Sequence, residues 1–230
     1  ATAASLHKRD ASLDIAIIEC STTHYYQPGW TMVGAGVFKK EETARSTASV
    51  MPSYVTQIRG TVASFKPDEN SVRLEDGKAL TYGSLVVAAG LKLDWAAIEG
   101  LEEALGRNGV TSNYRYDLAP YTWELVQKMR GEKAIFTQPP MPIKCAGAPQ
   151  KAMYLSCSTW MQVGKIKDID VSFCNAGPVL FGCADYVPPL MEYVDRYGIN
   201  LDFGYNLVKV DGPNQIATFK VAKEGEDPRL

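Results

Sequence analysis

The sequence lacks several features that would assign it to common functional classes. No uninterrupted apolar run is long enough to span a bilayer, and there is no secretory signal peptide. The 24 basic and 26 acidic residues give a net charge of −2, and no basic stripe with interleaved aromatics occurs, which argues against a nucleic-acid partner. The five cysteines are odd in number and show no CxxC spacing. That usage argues against a zinc site or a disulfide framework and for a reducing compartment.

What the sequence does contain is a cysteine in a proline-rich loop. The run QPPMPIKCAGAPQK at 138–151 places Cys145 beside Lys144, after a predicted strand at 133–137 and before a predicted helix at about 149–163. Dinucleotide-binding folds usually place a glycine-rich phosphate turn at such a junction. The absence of that turn argues against NAD(P)H as a hydride donor. A helix N-terminus and a neighbouring ammonium group favour the reactive thiolate, so the loop indicates sulfur chemistry. The alternative is an inert buried cysteine, the usual fate of free cysteines.

The rest of the chain alternates predicted strands and helices. The apolar patterns predict strands at 14–19, 84–90 and 169–174, and helices at about 42–54, 119–130 and 185–197. This alternation predicts an α/β fold with two Rossmann-like, nucleotide-binding lobes. The first residues read as the middle of a helix, with no preceding strand or glycine-rich turn, and the last residues are polar. We therefore expect an internal fragment, incomplete at both ends.

A second unusual segment is HYYQPGWTMVGAG at 24–36. Together with the run at 138–151 it resembles the eukaryotic-type sulfide:quinone oxidoreductases, flavoproteins of the FAD/NAD-linked disulfide-reductase superfamily. The resemblance extends through essentially the whole chain. It implies that residues 1–115 form an FAD-binding lobe without its first strand and glycine-rich turn. It also implies that residues 116–230 form a second Rossmann-like lobe that carries the reactive cysteine.

The resemblance further implies an activity and its partners. Hydrogen sulfide would be oxidised to a persulfide on Cys145, electrons would pass through FAD to a quinone, and the sulfane sulfur would leave to a small thiol or sulfite. A second reactive cysteine and a membrane-facing segment are expected in a C-terminal part outside this chain. The protein would lie peripherally on the mitochondrial inner membrane or a bacterial cytoplasmic membrane, while the fragment itself would be soluble.

Five positions match residues that contact FAD in the resembled family: Glu19, Gln27, Val62, Ala89 and Gly90. An acid at the end of the second strand accepts hydrogen bonds from an adenosine ribose, and an amide can hold a ribityl or pyrophosphate oxygen. From the residues alone, Glu19 could equally be a solvated acid, and Gln27 could stabilise its turn. Val62 could be an ordinary strand residue, and Ala89-Gly90 could be a close packing corner.

Three rival interpretations stay open at this stage. The chain could belong to an NADH:quinone-type flavin reductase, or to the flavoprotein subunit of a sulfide dehydrogenase that passes electrons to a cytochrome. It could also be a flavin-free chain with a structural or binding role. No metal site is expected from the sequence.

Overall fold

The computed structural model describes residues 1–222. The described residues contain seven α-helices: α1 Thr2–Arg9, α2 Trp30–Val33, α3 Thr47–Val50, α4 Leu101–Ala104, α5 Ala119–Lys128, α6 Gly147–Gln162 and α7 Val187–Tyr197. They contain twelve strands: β1 Ile15–Glu19, β2 Thr23–Tyr25, β3 Ala44–Ser46, β4 Val55–Arg59, β5 Val62–Lys66, β6 Ser71–Leu74, β7 Ala79–Thr81, β8 Lys133–Gln138, β9 Asp170–Asn175, β10 Asn200–Phe203, β11 Tyr205–Asp211 and β12 Ile216–Val221. Short 3-10 helices lie at Gln27–Gly29, Lys40–Thr43, Pro67–Glu69, Trp95–Ala97, Ile166–Asp168 and Ala184–Tyr186.

The chain divides into two compact units. Among the described residues, the first unit consists of Ala1–Tyr25 and Ala44–Gly90, and the second of Tyr26–Thr43 and residues 91–222. These units do not coincide with the predicted division after residue 115. The segment 26–43 joins the second unit because Trp30 and Val33 of α2 are buried against Ala119 at the start of α5. The predicted roles of residues 1–115 and 116–230 as FAD-binding and cysteine-bearing lobes stay predictions.

Three small sheets form the first unit. Strand β1 pairs in parallel with β4, so that Glu19 lies opposite Arg59. Strands β2 and β3 form an antiparallel pair, and β5, β6 and β7 form an antiparallel meander in that order. The turn Gly77 has a φ of +86° and joins β6 to β7, as expected for a tight turn that needs a left-handed residue.

Two predicted elements of the first unit are wrong. Residues 84–90 do not form a strand, because a strand needs a hydrogen-bonded neighbour and no strand of the described residues pairs with this segment. Its Val86 and Val87 are each 61% exposed. The helix expected at 42–54 is only one turn, α3, because the residues before it pair with β2 as β3 and so cannot be helical.

A parallel three-stranded sheet forms the centre of the second unit. Its strand order is β10-β9-β8, with β8 and β9 in register from Lys133 opposite Asp170 to Gln138 opposite Asn175. Helix α6 connects β8 to β9 and helix α7 connects β9 to β10, which confirms the predicted α/β alternation. The predicted elements over 119–197 agree with the observed ones to within about two residues at each end. Strands β11 and β12 add an antiparallel hairpin.

Helix α6 packs one face into the main hydrophobic core. Its buried residues recur every three or four positions, as a helix with one apolar face requires: Gln150, Met153, Ser156, Cys157 and Trp160. Of these, Met153, Cys157 and Trp160 pack with the buried strand residues Val171 and Phe173 of β9. Helix α6 is thereby fixed on the sheet, and so is the loop from which it begins. No helix found among residues 1–222 has both the length and the apolar character needed to cross a membrane.

Candidate active site

Cys145 lies in the loop that leads from β8 into α6. Its side chain is exposed, and it stands two residues before the first residue of the helix. The backbone N–H of Ala148 donates to the Cys145 carbonyl at 3.3 Å, and the Tyr114 hydroxyl donates to the same carbonyl at 3.4 Å. The carbonyl of the cysteine is therefore held from two sides, while the thiol faces solvent.

The thiol opens into a pocket of about 350 Å³, which we call the cysteine pocket. Its walls come from the 3-10 helix at Gln27–Gly29 with Thr31, from β8, from the segment before α5, and from the start of α6. The lining residues are Gln27, Pro28, Thr31, Thr111, Ser112, Asn113, Tyr114, Thr122, Ile135, Phe136, Thr137, Lys144, Cys145, Ala148, Pro149, Lys151 and Ala152. The pocket therefore combines a thiol, two ammonium groups and several amide and hydroxyl groups on a largely apolar wall, the composition typical of a small-molecule site.

Gln27 and Cys145, which are 118 positions apart in sequence, line this one pocket. Gln27 is half-buried and begins the 3-10 helix that leads into α2. The glycines after α2 allow close packing: a Cβ at Gly34 would lie 2.5 Å from Asn113 Oδ1, and one at Gly36 would overlap the Trp123 indole. The structure thus brings together one predicted flavin contact and the predicted catalytic cysteine, and it gives the glycines of this loop a packing role.

The opposite wall contains residues that the sequence analysis missed. No function was predicted for the segment 111–114, yet all four of its residues line the cysteine pocket. The Thr111 and Thr122 hydroxyls lie 2.8 Å apart, and Asn113 Oδ1 is buried with no hydrogen-bond partner among the described residues. A run of four consecutive polar side chains just before a helix was the only sequence signal available.

The electrostatics of the pocket centre on Cys145 and Tyr114. Burial raises the pKa of the Tyr114 hydroxyl, and negative charge on Cys145 raises it further, so Tyr114 remains a proton donor across the neutral range. Lys144 and Lys151 place two ammonium groups at the pocket wall. The site therefore offers positive charge and a neutral hydroxyl beside one thiol.

The other cysteines differ from Cys145 in their surroundings. Cys157 is fully buried, and burial raises the pKa of its thiol to about 12. Burial, with a smaller effect of Asp202, raises the pKa of Cys174 to about 11. Both thiols remain protonated at neutral pH and are therefore poor nucleophiles. Cys20 and Cys183 are exposed, but neither lines the cysteine pocket.

The remaining predicted FAD contacts lie in the first unit. Glu19 ends β1 as expected, and its carboxylate accepts a hydrogen bond of 2.8 Å from the backbone N–H of Ser21. The Glu19 carbonyl accepts from Gly60 N–H at 3.3 Å, which places the acid next to the turn that leads to Val62 at the start of β5. Ala89 and Gly90 end the irregular segment 84–90, where Gly90 has a φ of +78° and open space around its Cα.

Comparisons with known proteins identify relatives along nearly the whole chain. No protein-family model matches. The chain is 40% identical over 216 residues to the mitochondrial sulfide:quinone oxidoreductase of Dictyostelium discoideum, covering 93% of this chain and 48% of that protein. It is 38% identical over 225 residues to the mouse mitochondrial enzyme of the same name, covering 97% of this chain and 50% of that protein. The chain thus spans about half the length of the curated relatives it matches.

Solved structures show the same fold. The sulfide:quinone oxidoreductase from Aquifex aeolicus matches with a TM-score of 0.75 and 20% identity over 95% of this chain and 53% of that chain. The water-forming NADH oxidase from Lactobacillus brevis matches with a TM-score of 0.60 and 14% identity over 98% of this chain and 48% of that chain. These likenesses confirm the predicted α/β fold of the FAD/NAD(P)-binding type. By sequence, the chain is a relative of the mitochondrial sulfide:quinone oxidoreductases and corresponds to about half of their length.

Proposed function

We propose that the protein is an FAD-dependent sulfide:quinone oxidoreductase in which Cys145 carries the sulfur of sulfide as a persulfide. The observation that carries this proposal is the cysteine pocket, which is lined both by an exposed cysteine and by the predicted flavin contact Gln27. The names of the curated relatives support the reaction class.

The sulfur step can be written with its electrons balanced. At the start of the step, Cys145 Sγ is joined in a disulfide to the sulfur of a second thiol. Hydrosulfide then attacks Cys145 Sγ. A new S–S bond forms to Cys145, the old one breaks, and its electron pair leaves with the second thiolate. A nucleophilic acceptor, either a small thiol or sulfite, then removes the terminal sulfur and leaves the Cys145 thiolate. FAD, when bound, supplies the two-electron oxidation that restores the disulfide and transfers the electrons to a quinone.

The residues present fit such a cofactor. The Glu19 carboxylate is held at a strand end by the Ser21 N–H, as an acceptor for a ribose hydroxyl should be. Gly90 leaves its backbone uncovered by side chains, and so permits close approach of a ligand. We propose Glu19, Gln27, Val62, Ala89 and Gly90 as the residues that contact FAD.

The charged groups of the cysteine pocket suit the substrate. Lys144 and Lys151 attract the hydrosulfide anion and stabilise negative charge on sulfur. Tyr114, whose pKa is raised, stays protonated and holds the Cys145 carbonyl. We further propose, from the names of the relatives, that the protein works in mitochondria. The resemblance noted in the sequence implies that its quinone is reached at a membrane surface.

The test uses the full-length, flavin-loaded protein under anaerobic conditions. Sulfide should bleach the visible flavin band, and a soluble quinone should restore it. Cys145→Ser should bind FAD normally and slow sulfide-dependent bleaching by roughly a hundredfold or more, because the serine hydroxyl cannot form the persulfide.

The matched control is Cys183→Ser, which changes another exposed loop cysteine outside the pocket. It should bleach at the rate of the unmodified protein. Undiminished bleaching by Cys145→Ser would refute the assignment of the catalytic cysteine. Bleaching by NADH but not by sulfide would replace the proposed reaction with that of a pyridine-nucleotide-dependent reductase.

A further inference from the structure

Three amide side chains are buried at the carboxyl ends of β8 and β9, behind the cysteine loop. Gln138 ends β8, Asn175 ends β9, and Gln150 lies in the first turn of α6. They are 8%, 0% and 3% exposed, respectively. Glutamine and asparagine are mostly surface residues, and a buried amide costs free energy unless its polar atoms are paired. Apolar packing therefore does not explain why these three amides are buried together.

The hydrogen bonds of Asn175 fold the loop that follows β9. Its Nδ2 donates to the Val179 carbonyl at 2.9 Å, and its Oδ1 accepts from the Gly177 N–H at 2.8 Å. The Gln138 amide donates to the same Oδ1 at 3.3 Å. The residues 176–180 are thereby tied to the strand end from which the cysteine loop departs.

Gln150 connects that loop to helix α6, which begins two residues after Cys145. Its Nε2 donates to the Leu180 carbonyl at 2.7 Å and lies 3.4 Å from the Ala146 carbonyl, the residue directly after Cys145. Leu180 is itself buried in the main core at 2% exposure. A strong buried hydrogen bond thus links the first turn of α6 to a loop that cannot move without disturbing the core.

Gln150 can affect the reaction only through the residues next to it in α6. Ala148, Pro149, Lys151 and Ala152 line the cysteine pocket, whereas Gln150 does not. We propose that Gln150 is a positioning residue: through its bond to Leu180 it fixes the turn that holds Cys145 at the angle needed for sulfur transfer. This inference rests on the proposed role of Cys145, and it adds a specific residue to it.

The test compares Gln150→Met with Gln162→Met in the full-length, flavin-loaded protein. Methionine keeps the volume of glutamine but has no N–H to donate. Gln162 is a matched control because it lies on the same helix and its amide bonds only the Ser158 hydroxyl, at an exposed site. Both variants receive the same substitution, so a difference between them reports the position and not the residue type.

The first readout is amide hydrogen exchange and does not depend on activity. In Gln150→Met, exchange should accelerate at least tenfold in residues 143–149 and 176–182 together, and stay unchanged in β9. Gln162→Met should leave both segments unchanged. A purely structural role would instead accelerate exchange throughout the core, including β9, and would overturn the proposal.

The second readout is sulfide-dependent flavin reduction. The limiting rate of Gln150→Met should fall roughly tenfold, with the half-saturating sulfide concentration changed less than twofold, because misplacement affects the reacting geometry and not the approach of the anion. A rate equal to that of Gln162→Met would overturn the proposal while the proposed function stands. If sulfide reduces neither protein, the proposed function fails, and the exchange pattern still decides whether Gln150 holds the turn. If Gln150→Met does not fold, Gln138→Met removes the amide that donates to Asn175 Oδ1. It should accelerate exchange in the same two segments, by a smaller factor.

Discussion

The buried thiol of Cys157 makes the stability of the protein depend on alkaline pH in a calculable way. Burial raises the pKa of this thiol from an ordinary 9.0 to about 12 in the folded protein. Because the folded protein favours the neutral thiol, its contribution to stability is fully present below pH 9.0. It is lost as pH rises from there toward 12, since the unfolded chain can ionise and the folded one cannot.

The magnitude follows from the two pKa values. At about pH 10, the unfolded thiol is roughly nine-tenths ionised and the folded thiol hardly at all, which removes about 1.4 kcal/mol from the free energy of unfolding. Cys157→Ala removes this dependence but leaves a small cavity, at a cost of about 0.5–1.5 kcal/mol by analogy with deletion of one methylene group. The neighbouring Tyr154 loses stability in the same direction, because burial, with a lesser effect of Cys157, raises the pKa of its hydroxyl from 10.0 to about 12. At about pH 10 this amounts to roughly 0.4 kcal/mol, less than the effect of Cys157.

The assay is urea unfolding of the unmodified protein and Cys157→Ala, under reducing conditions, at about pH 7.5, 9 and 10. The variant should be less stable at the lowest pH, and the difference should shrink by about 1.4 kcal/mol at pH 10. Ionisable groups common to both proteins cancel in this comparison, apart from the lesser part of the Tyr154 pKa shift that Cys157 causes. A difference that stays constant with pH would show that Cys157 is not desolvated as its position in the core requires.

Two further substitutions test close packing and a buried hydrogen bond. Gly36→Ala should lower the free energy of unfolding by about 2 kcal/mol or more, because φ is +73° and the new Cβ would overlap Trp123. The control is Gly77→Ala, which is also at positive φ but has open space around it. It should lower the free energy of unfolding by only about 1 kcal/mol in the same urea titration. Trp160→Phe should cost about 1–3 kcal/mol, since the indole N–H donates to the buried Val126 carbonyl at 2.9 Å; an unchanged denaturation midpoint would mean that water replaces this bond.

The part of the site that lies close together in sequence could be predicted from the sequence. Strand β8, the cysteine loop and helix α6 follow one another directly, and their boundaries were predicted to within two residues. Here the apolar strand pattern, the prolines and the helix-forming residues act over short distances. Local patterns of this kind determine local structure, so the position of Cys145 between a strand and a helix followed from them.

The parts that depend on distant partners could not be predicted. The apolar segment 84–90 has every local property of a strand, but pairing depends on a neighbour that the pattern does not contain. The opposite wall of the pocket, 111–114, has no secondary structure of its own and acquires its place from the packing of Gly34 against Asn113. A sequence pattern indicates which secondary structure a segment favours, and tertiary contacts decide whether that structure forms.

The buried amides show the same limit at the residues nearest the chemistry. A sequence-based assignment puts Gln138, Gln150 and Asn175 on the surface, because glutamine and asparagine are seldom buried. Gln138 and Asn175 are buried here because strands β8 and β9 end side by side, so that the Gln138 amide donates to Asn175 Oδ1 at the neighbouring strand end. The Asn175 amide in turn donates to the Val179 carbonyl in the loop that follows β9. The amide residues that are buried against expectation are thus the ones that connect the cysteine loop after β8 with the loop 176–180 after β9. The proposed reactive thiol lies on a loop that has no ladder of backbone hydrogen bonds of its own, so the loop has to be held in place by contacts such as these.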